Sequence, residues 1–177
     1  MLKTNSNKLV SFALQGTIIP PLAYGWEVDR EGFGKATPSV GGITYNIKIG
    51  DSVYDFEGDH LEPGVSCIAG SFSDRRTANP NLSFNFFSCI GNTATIVSGD
   101  AKKKKGFVTG HHGGVEHVII DFDDDVLKKL TYDDKIMIHA VGQGLKLQDF
   151  PGIHLSSLSP DLLHKIPLKP SGKNSSQ

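Results

Sequence analysis

The sequence predicts an all-β or β-rich domain, either barrel-like or a layered sandwich of short strands, with one or two short helices. Short segments in which apolar and polar residues alternate recur along the chain, as at residues 43–49. Turn signals such as Gly-Asp and Asp-Asp separate these segments. The 177 residues include 20 glycines and 9 prolines, which favours many turns over long helices.

The predicted strands share apolar, β-branched or aromatic residues bounded by turn residues. In chain order they are residues 9–14, 43–49, 52–56, 65–69, 82–90, 94–97, 107–109, 115–122 and 135–141. Gly50-Asp51 predicts a hairpin between the second and third of them. One short helix is expected after the acidic residues 123–125, and another at Ser159-Pro160-Asp161, where Pro stands at the first helical position.

The composition bounds the organisation and the partners of the chain. Residues 1–165 are predicted to form a single β-rich domain, and residues 166–177, rich in Pro, Gly, Ser and Lys, a disordered polar tail. The 18 basic and 19 acidic residues nearly balance, so no global field attracts nucleic acid or an anionic membrane. No segment approaches the roughly 20 apolar residues of a membrane span.

The cysteine content indicates a reduced compartment. Only Cys67 and Cys89 occur, and both lie in apolar, strand-like surroundings, where a free cysteine behaves as a small hydrophobic residue. The two could pair, but we expect a cytoplasmic protein with two reduced thiols.

Residues 110–117 form the segment richest in chemically active side chains. Three histidines and Glu116 lie within residues 111–117, among glycines and directly before an apolar run. A second polar loop, residues 58–64, carries Asp59, His60 and Glu62. Imidazole and carboxylate groups move protons and bind metals, so both loops are candidate parts of one site.

The expected chemistry is that of a divalent metal or an acid–base pair. The candidate catalytic residues are Asp59, His60, His112 and His117, and the candidate metal ligands are His60, Glu62, His112 and His117. A mixed set of imidazoles and carboxylates suits Zn, Mn or Fe, and a metal-bound water can become a nucleophile near neutral pH. Histidines at i and i+5 do not match a named metal motif.

The two polar loops are predicted to meet at one rim of the sheet. Each precedes a short apolar strand, at residues 65–69 and 115–122, so His60 should approach His112 or His117. Period-two alternation places Glu116 and His117 on opposite faces, and we expect His117 to face the ligand. A buried Glu116 would then require a Lys or Arg partner.

Three further features have structural explanations. His139 is expected to be a core or edge histidine of a strand. The lysines at 102–105 are expected at a solvated hairpin tip, because no aromatic residues interleave with them. Gly142-Gln143-Gly144 does not follow the dinucleotide-binding fingerprint.

Several motifs together resemble a family of conserved hypothetical proteins from bacteria and archaea, catalogued as a domain of unknown function. They are G-D-H at 58–60, E-P-G-V-S at 62–66, C-I-G-N at 89–92, S-G-D-A-K at 98–102, H-G-G-V-E-H-V at 112–118 and G-Q-G-L-K-L at 142–147. The resemblance covers roughly residues 5–165, implies a mostly-β fold and implies no activity. Its members carry Lys at the position of His111 and smaller residues among the lysines of 102–105.

Members of that family continue past the region of Leu163 into further sequence. If a complete site needs that part, this chain would require a partner chain, and a homo-oligomer is also open. Two classes of function remain: an enzyme acting on a small polar metabolite by metal-assisted or general acid–base chemistry, and a non-catalytic ligand-binding or assembly module.

Overall fold

The computed structural model describes residues 2–23, 26–28, 30–36, 39–51, 62–113 and 116–168. The strands in this part of the chain are β1 Ser11–Ile18, β2 Leu22–Ala23, β3 Trp26–Val28, β4 Gly34–Ala36, β5 Ser39–Val40, β6 Ile43–Thr44, β7 Gly64–Ile68, β8 Thr93–Ile96, β9 Lys105–His111, β10 Val118–Asp121 and β11 Lys135–Val141. The helices are α1 Asn79–Phe87, α2 Asp124–Leu127 and α3 Pro160–Lys165, with a 3-10 turn at Ser6–Lys8.

Six strands form an antiparallel barrel in the order β1-β11-β8-β9-β10-β7. The barrel closes where β1 pairs with β7, with Thr17 opposite Ile68 and Ile18 opposite Cys67. The short strand β6 adds to the outer edge of β7. The predicted β-rich fold with short helices is confirmed, and the closure decides for a barrel rather than a sandwich.

The barrel interior is filled by alternate residues of its strands. On β11, Ile136, Ile138 and Ala140 are buried, as period-two alternation requires. Phe84 of α1 packs on the backbone of β1, and a Cβ placed on Gly16 would lie 2.5 Å from its Cζ atom. Glycine at position 16 therefore lets the aromatic ring of α1 seal the barrel wall.

The predicted strand at 82–90 is wrong, because most of this segment lies in α1. Pro80 stands in the first turn of the helix, where its missing N–H is not needed. Asn81, Phe84 and Asn85 are buried and recur at helical spacing. Aromatic residues favour a strand only where their side chains can pack on a sheet. In this segment, packing against the barrel favours a helix instead.

The predicted hairpin at 43–56 is only partly described. Only Ile43 and Thr44 are in a strand, and residues 52–56 lie outside the described part of the chain. After β6 the chain turns locally: Asp51 N–H donates to the Lys48 carbonyl, and Lys48 N–H donates to Asp51 Oδ2. A side chain that bonds to nearby backbone competes with a strand ladder, which explains the early end of β6.

The remaining elements follow the predictions more closely. β11 has the predicted bounds. The helix α2 begins after Asp123, and α3 begins after Ser159. The Oγ atom of Ser159 accepts a hydrogen bond from Leu162 N–H. The first strand runs over Ser11–Ile18 instead of 9–14, and the strand predicted at 115–122 is limited to Val118–Asp121. Residues 169–177 of the predicted tail lie outside the described residues. None of the described helices is long and apolar enough to cross a membrane.

Both cysteines are buried and carry free thiols. Burial raises the pKa of both thiols, that of Cys89 to about 11. At pH 8 about one Cys89 in a thousand would then be the reactive thiolate. We expect the folded protein to react slowly with a disulfide reagent at pH 8, and the denatured protein to release two thiols per chain. Rapid labelling of the folded protein, or a quantitative disulfide, would contradict this.

Candidate metal site

Three side chains of metal-ligand type meet beside the neighbouring strands β9, β10 and β7. His112 follows β9 and His117 precedes β10, so both lie at the same end of this antiparallel pair. Glu62 precedes β7, whose first residue lies at the opposite end of β10, and its carboxylate reaches back along β7 to Ser66. One ligand atom from each residue lies within 4.8 Å of the others. His112 N–H donates to the His117 carbonyl at 3.0 Å, which extends the β9–β10 ladder and sets the two histidines side by side. We call these three residues the Glu–His–His cluster.

Glu62 is the hydrogen-bond acceptor of the cluster. Its Oε2 accepts from His117 Nε2 at 2.7 Å, from Ser66 Oγ at 3.1 Å and from Gly41 N–H at 3.2 Å. Burial raises the pKa of Glu62, but the hydrogen bond from His117, the charges of both histidines and the Gly41 N–H together outweigh burial and lower that pKa. Glu62 is therefore an anion at neutral pH.

The two imidazole rings are fixed against each other and against carboxylates. The rings of His112 and His117 stack with centroids 4.9 Å apart and an interplanar angle of 16°. His112 Nε2 lies 3.9 Å from Glu62 Oε1, and His112 Nδ1 lies 3.5 Å from Glu116 Oε2. Glu116 thus stands behind His112, in the position from which a carboxylate orients a metal-binding histidine.

Glu116 is itself buried and paired with arginines. Its Oε1 contacts Arg76, and its Oε2 lies 3.9 Å from Arg75 Nη2. Asn81 Nδ2 donates to the Glu116 carbonyl at 2.9 Å and Asn81 Oδ1 accepts from Ala69 N–H, which ties α1 to this segment. The cationic partner expected for a buried Glu116 is present.

His117 belongs to the cluster and Glu116 does not, which agrees with the expectation that His117 faces the ligand. Both residues precede β10, so period-two alternation is not the reason, and Glu116 still lies 3.5 Å from His112 Nδ1. Arg75 and Arg76 were not among the candidate residues. The available signal was an adjacent pair of arginines in a chain with a single other arginine.

The other candidate residues are placed as follows. Asp59 and His60 lie outside the described residues, so their expected approach to His112 stays a prediction. His111 is half-buried and its Nε2 donates to the Ser88 carbonyl at 2.7 Å; burial lowers its pKa, although this hydrogen bond raises it. The expected place of His139 in the core or at a sheet edge is wrong, because it is exposed on β11, which pairs with a strand on each side. Lys102, Lys103 and Lys104 lie at the exposed β8–β9 turn and Lys105 begins β9, as expected for a hairpin tip.

A cleft of ≈ 620 Å³ opens beside the cluster. Leu82, Asn85, Phe86 and Phe87 of α1 line one wall, and His112 belongs to both the cleft and the cluster. We call this space the α1 cleft. Its volume lies within the usual range of small-molecule sites.

Comparisons with known proteins place the chain among relatives of unknown function. The family model described as "Domain of unknown function (DUF4438), N-terminal" matches residues 26–164. The crystal structure of TM1086 is similar over 97% of this chain, with 43% sequence identity and a TM-score of 0.84. This chain spans 59% of the TM1086 chain. A comparison with curated proteins gave no match. The resemblance to an unknown-function family and the β-rich fold are thereby confirmed.

Proposed function

The chain belongs to the DUF4438 N-terminal domain family, and we propose that its Glu–His–His cluster binds a divalent metal ion for metal-assisted chemistry on a small polar metabolite. The observation that carries the proposal is the convergence of two imidazoles and one carboxylate, from three separate segments, within 4.8 Å. Two nitrogen ligands and one oxygen ligand suit Zn, Mn or Fe.

The spacing of the donor atoms supports this assignment. Adjacent ligand atoms in a tetrahedral zinc site are roughly 3.3 Å apart, given metal–ligand distances of about 2.0–2.1 Å. Glu62 Oε2 lies 2.7 Å from His117 Nε2 and Glu62 Oε1 lies 3.9 Å from His112 Nε2, and one ligand atom of each residue lies within 4.8 Å of the others. These separations are of the same order as those in a zinc site.

The alternative to a metal is a hydrogen-bonded His–Glu–His network that only stabilises the rim. The distance between Glu62 and His112 favours the metal. His112 Nε2 lies 3.9 Å from Glu62 Oε1, which is too long for a hydrogen bond and leaves room for a cation between a ring nitrogen and a carboxylate oxygen.

Three protein ligands are typical of a catalytic metal site, because they leave a position open for substrate or water. A metal ion bound there would polarise a carbonyl group or lower the pKa of a water molecule. His112 lines the α1 cleft, so a small molecule in the cleft has access to the cluster. The free thiols are in keeping with a cytoplasmic protein.

A non-catalytic ligand-binding or assembly module is the second candidate. The apolar side chains of Leu82, Phe86 and Phe87 in the α1 cleft favour it, since they contribute binding but no chemistry.

The proposal is tested by elemental analysis of the purified protein and by titration of the chelator-treated protein with Zn²⁺, Mn²⁺ and Fe²⁺. We expect equimolar binding of at least one of these ions. Amidase, esterase and lyase substrates are then assayed with and without the metal. Failure to bind any of the three ions would overturn the proposal, and tight binding without turnover would favour the binding module.

A further inference from the structure

The apolar wall of the α1 cleft is a fixed aromatic surface. Phe86 is 59% exposed, although it lies on a helix packed against the barrel. Its ring meets that of Phe87 edge-on with centroids 5.0 Å apart, and the Phe87 ring lies 4.5 Å from that of Phe12. Gln143 Nε2 donates to the Phe86 carbonyl and holds this end of α1. An aromatic or branched apolar group would find a preformed contact surface here.

A polar side chain of the cleft carries a buried acceptor without a donor. Asn85 lines the cleft and is only 7% exposed; its Nδ2 donates to the Asn81 carbonyl at 2.9 Å. No residue in the described part of the chain donates to Asn85 Oδ1. A buried acceptor of this kind is satisfied by a ligand that carries an N–H group.

We propose that the α1 cleft binds a small carboxamide with an aromatic or branched aliphatic substituent, an inference that rests on the metal site proposed above. The amide N–H serves the acceptor at Asn85, the substituent lies on Phe86, and the carbonyl oxygen faces the His112 edge of the cleft. A carboxylate or an ester lacks the N–H donor, and a carboxylate would also bring a negative charge to this acceptor.

Hydroxamic acids test this class, because they bind metals through oxygen and keep an amide-like N–H. Calorimetric titration of the zinc-loaded protein compares benzohydroxamic, acetohydroxamic and N-methylbenzohydroxamic acids. We expect benzohydroxamic acid to bind at least about tenfold more tightly than acetohydroxamic acid, because the loss of an apolar contact typically weakens binding by such a factor. Methylation of the nitrogen should weaken binding by a similar factor.

Two variants test whether the preference for the aromatic compound arises in the α1 cleft. Phe86→Ala is expected to remove most of the preference for the benzo over the aceto compound. Phe107→Ala should leave that preference unchanged, because Phe107 is exposed in a separate groove lined by Ile90 and Leu162. Both side chains are exposed, so both variants should keep the melting temperature of the parent.

The outcomes separate the two proposals. Failure to bind Zn²⁺, Mn²⁺ or Fe²⁺ would overturn the metal site and, with it, this inference, and the titration with the three acids uses whichever of these ions binds. Metal binding combined with equal affinities for the three acids, or with a preference that survives Phe86→Ala, would overturn the inference alone. Loss of the preference in Phe107→Ala as well would also overturn it, since the effect would then not belong to the α1 cleft.

Discussion

Replacing His112 by alanine is expected to lower the affinity of the domain for zinc by roughly 100-fold or more, because the change removes one of three protein ligands. His117→Ala should have an effect of the same size, since His117 supplies one of the three metal-ligand atoms of the cluster. The measurement is a competition titration of each variant against a chromophoric chelator, with circular dichroism to show that the barrel is intact.

His139→Ala is the matched control, because His139 is exposed on β11 and the same side chain is removed outside the cluster. Its zinc affinity should equal that of the parent. Equal affinities of the parent and His112→Ala would contradict the assignment of the cluster, whereas parallel losses in all three variants would indicate zinc bound to surface histidines.

A smaller loss is expected for Glu116→Gln, about 10- to 100-fold in zinc affinity. Glutamine keeps the volume of the side chain but removes the charge that faces His112 Nδ1 and the arginines. The arginines then lose their anionic partner, so part of the effect will be on stability, and the melting temperature of the metal-free protein measures that part. Once the change in stability is subtracted, Glu116→Gln should lose less zinc affinity than His112→Ala loses. This is the result expected of a positioning residue.

The barrel strands could be predicted from local patterns where one face of the strand is buried. The bounds of β11 follow directly from its alternation. Closure of the barrel could not be predicted, because it depends on Thr17 and Ile18 pairing with Ile68 and Cys67, about fifty residues away along the chain. Such pairings are decided by the fit of whole sheets and leave no short-range pattern.

The α1 segment shows how packing overrides composition. Its phenylalanines suggested a strand, but Phe84 occupies the space over Gly16 on the barrel wall. Helical spacing then buries Asn81 and Asn85 beside it, where each amide Nδ2 donates to backbone. Pro80 was the local signal for a helix start.

The candidate site could be predicted in part because imidazole and carboxylate side chains are concentrated in two short polar loops. That pattern selected Glu62, His112 and His117, which the fold brings together. The expected reason is wrong, because β7 and β10 are antiparallel and their first residues lie at opposite ends of the pair. The pairing of Glu116 with Arg75 and Arg76 was not predictable from the loops, since the arginines are about forty residues away. Charge partners of a buried residue depend on the three-dimensional path of the chain.

Gly64→Ala is expected to destabilise the pairing of β7 with β10 strongly. Gly64 has φ +82°, and a Cβ there would lie 2.2 Å from the Ile120 carbonyl oxygen and 2.8 Å from Asp121 Cα. These atoms belong to the backbone of β10, so they cannot move aside without breaking the β7–β10 ladder. A left-handed conformation costs about 1–2 kcal/mol and overpacking about 1–3 kcal/mol more.

The free energy of unfolding should therefore fall by about 2–5 kcal/mol, and the melting temperature by roughly 10 °C in a domain of this size. Gly50→Ala isolates the conformational part, because Gly50 has φ +92° but no atom of the described residues lies within 4 Å of the added Cβ. Thermal unfolding of both variants gives the cost of the backbone clash by difference. Equal losses in the two variants would mean that β7 and β10 separate easily at this point. The positions of Glu62 and His117, which flank these strands, would then not be held by the barrel.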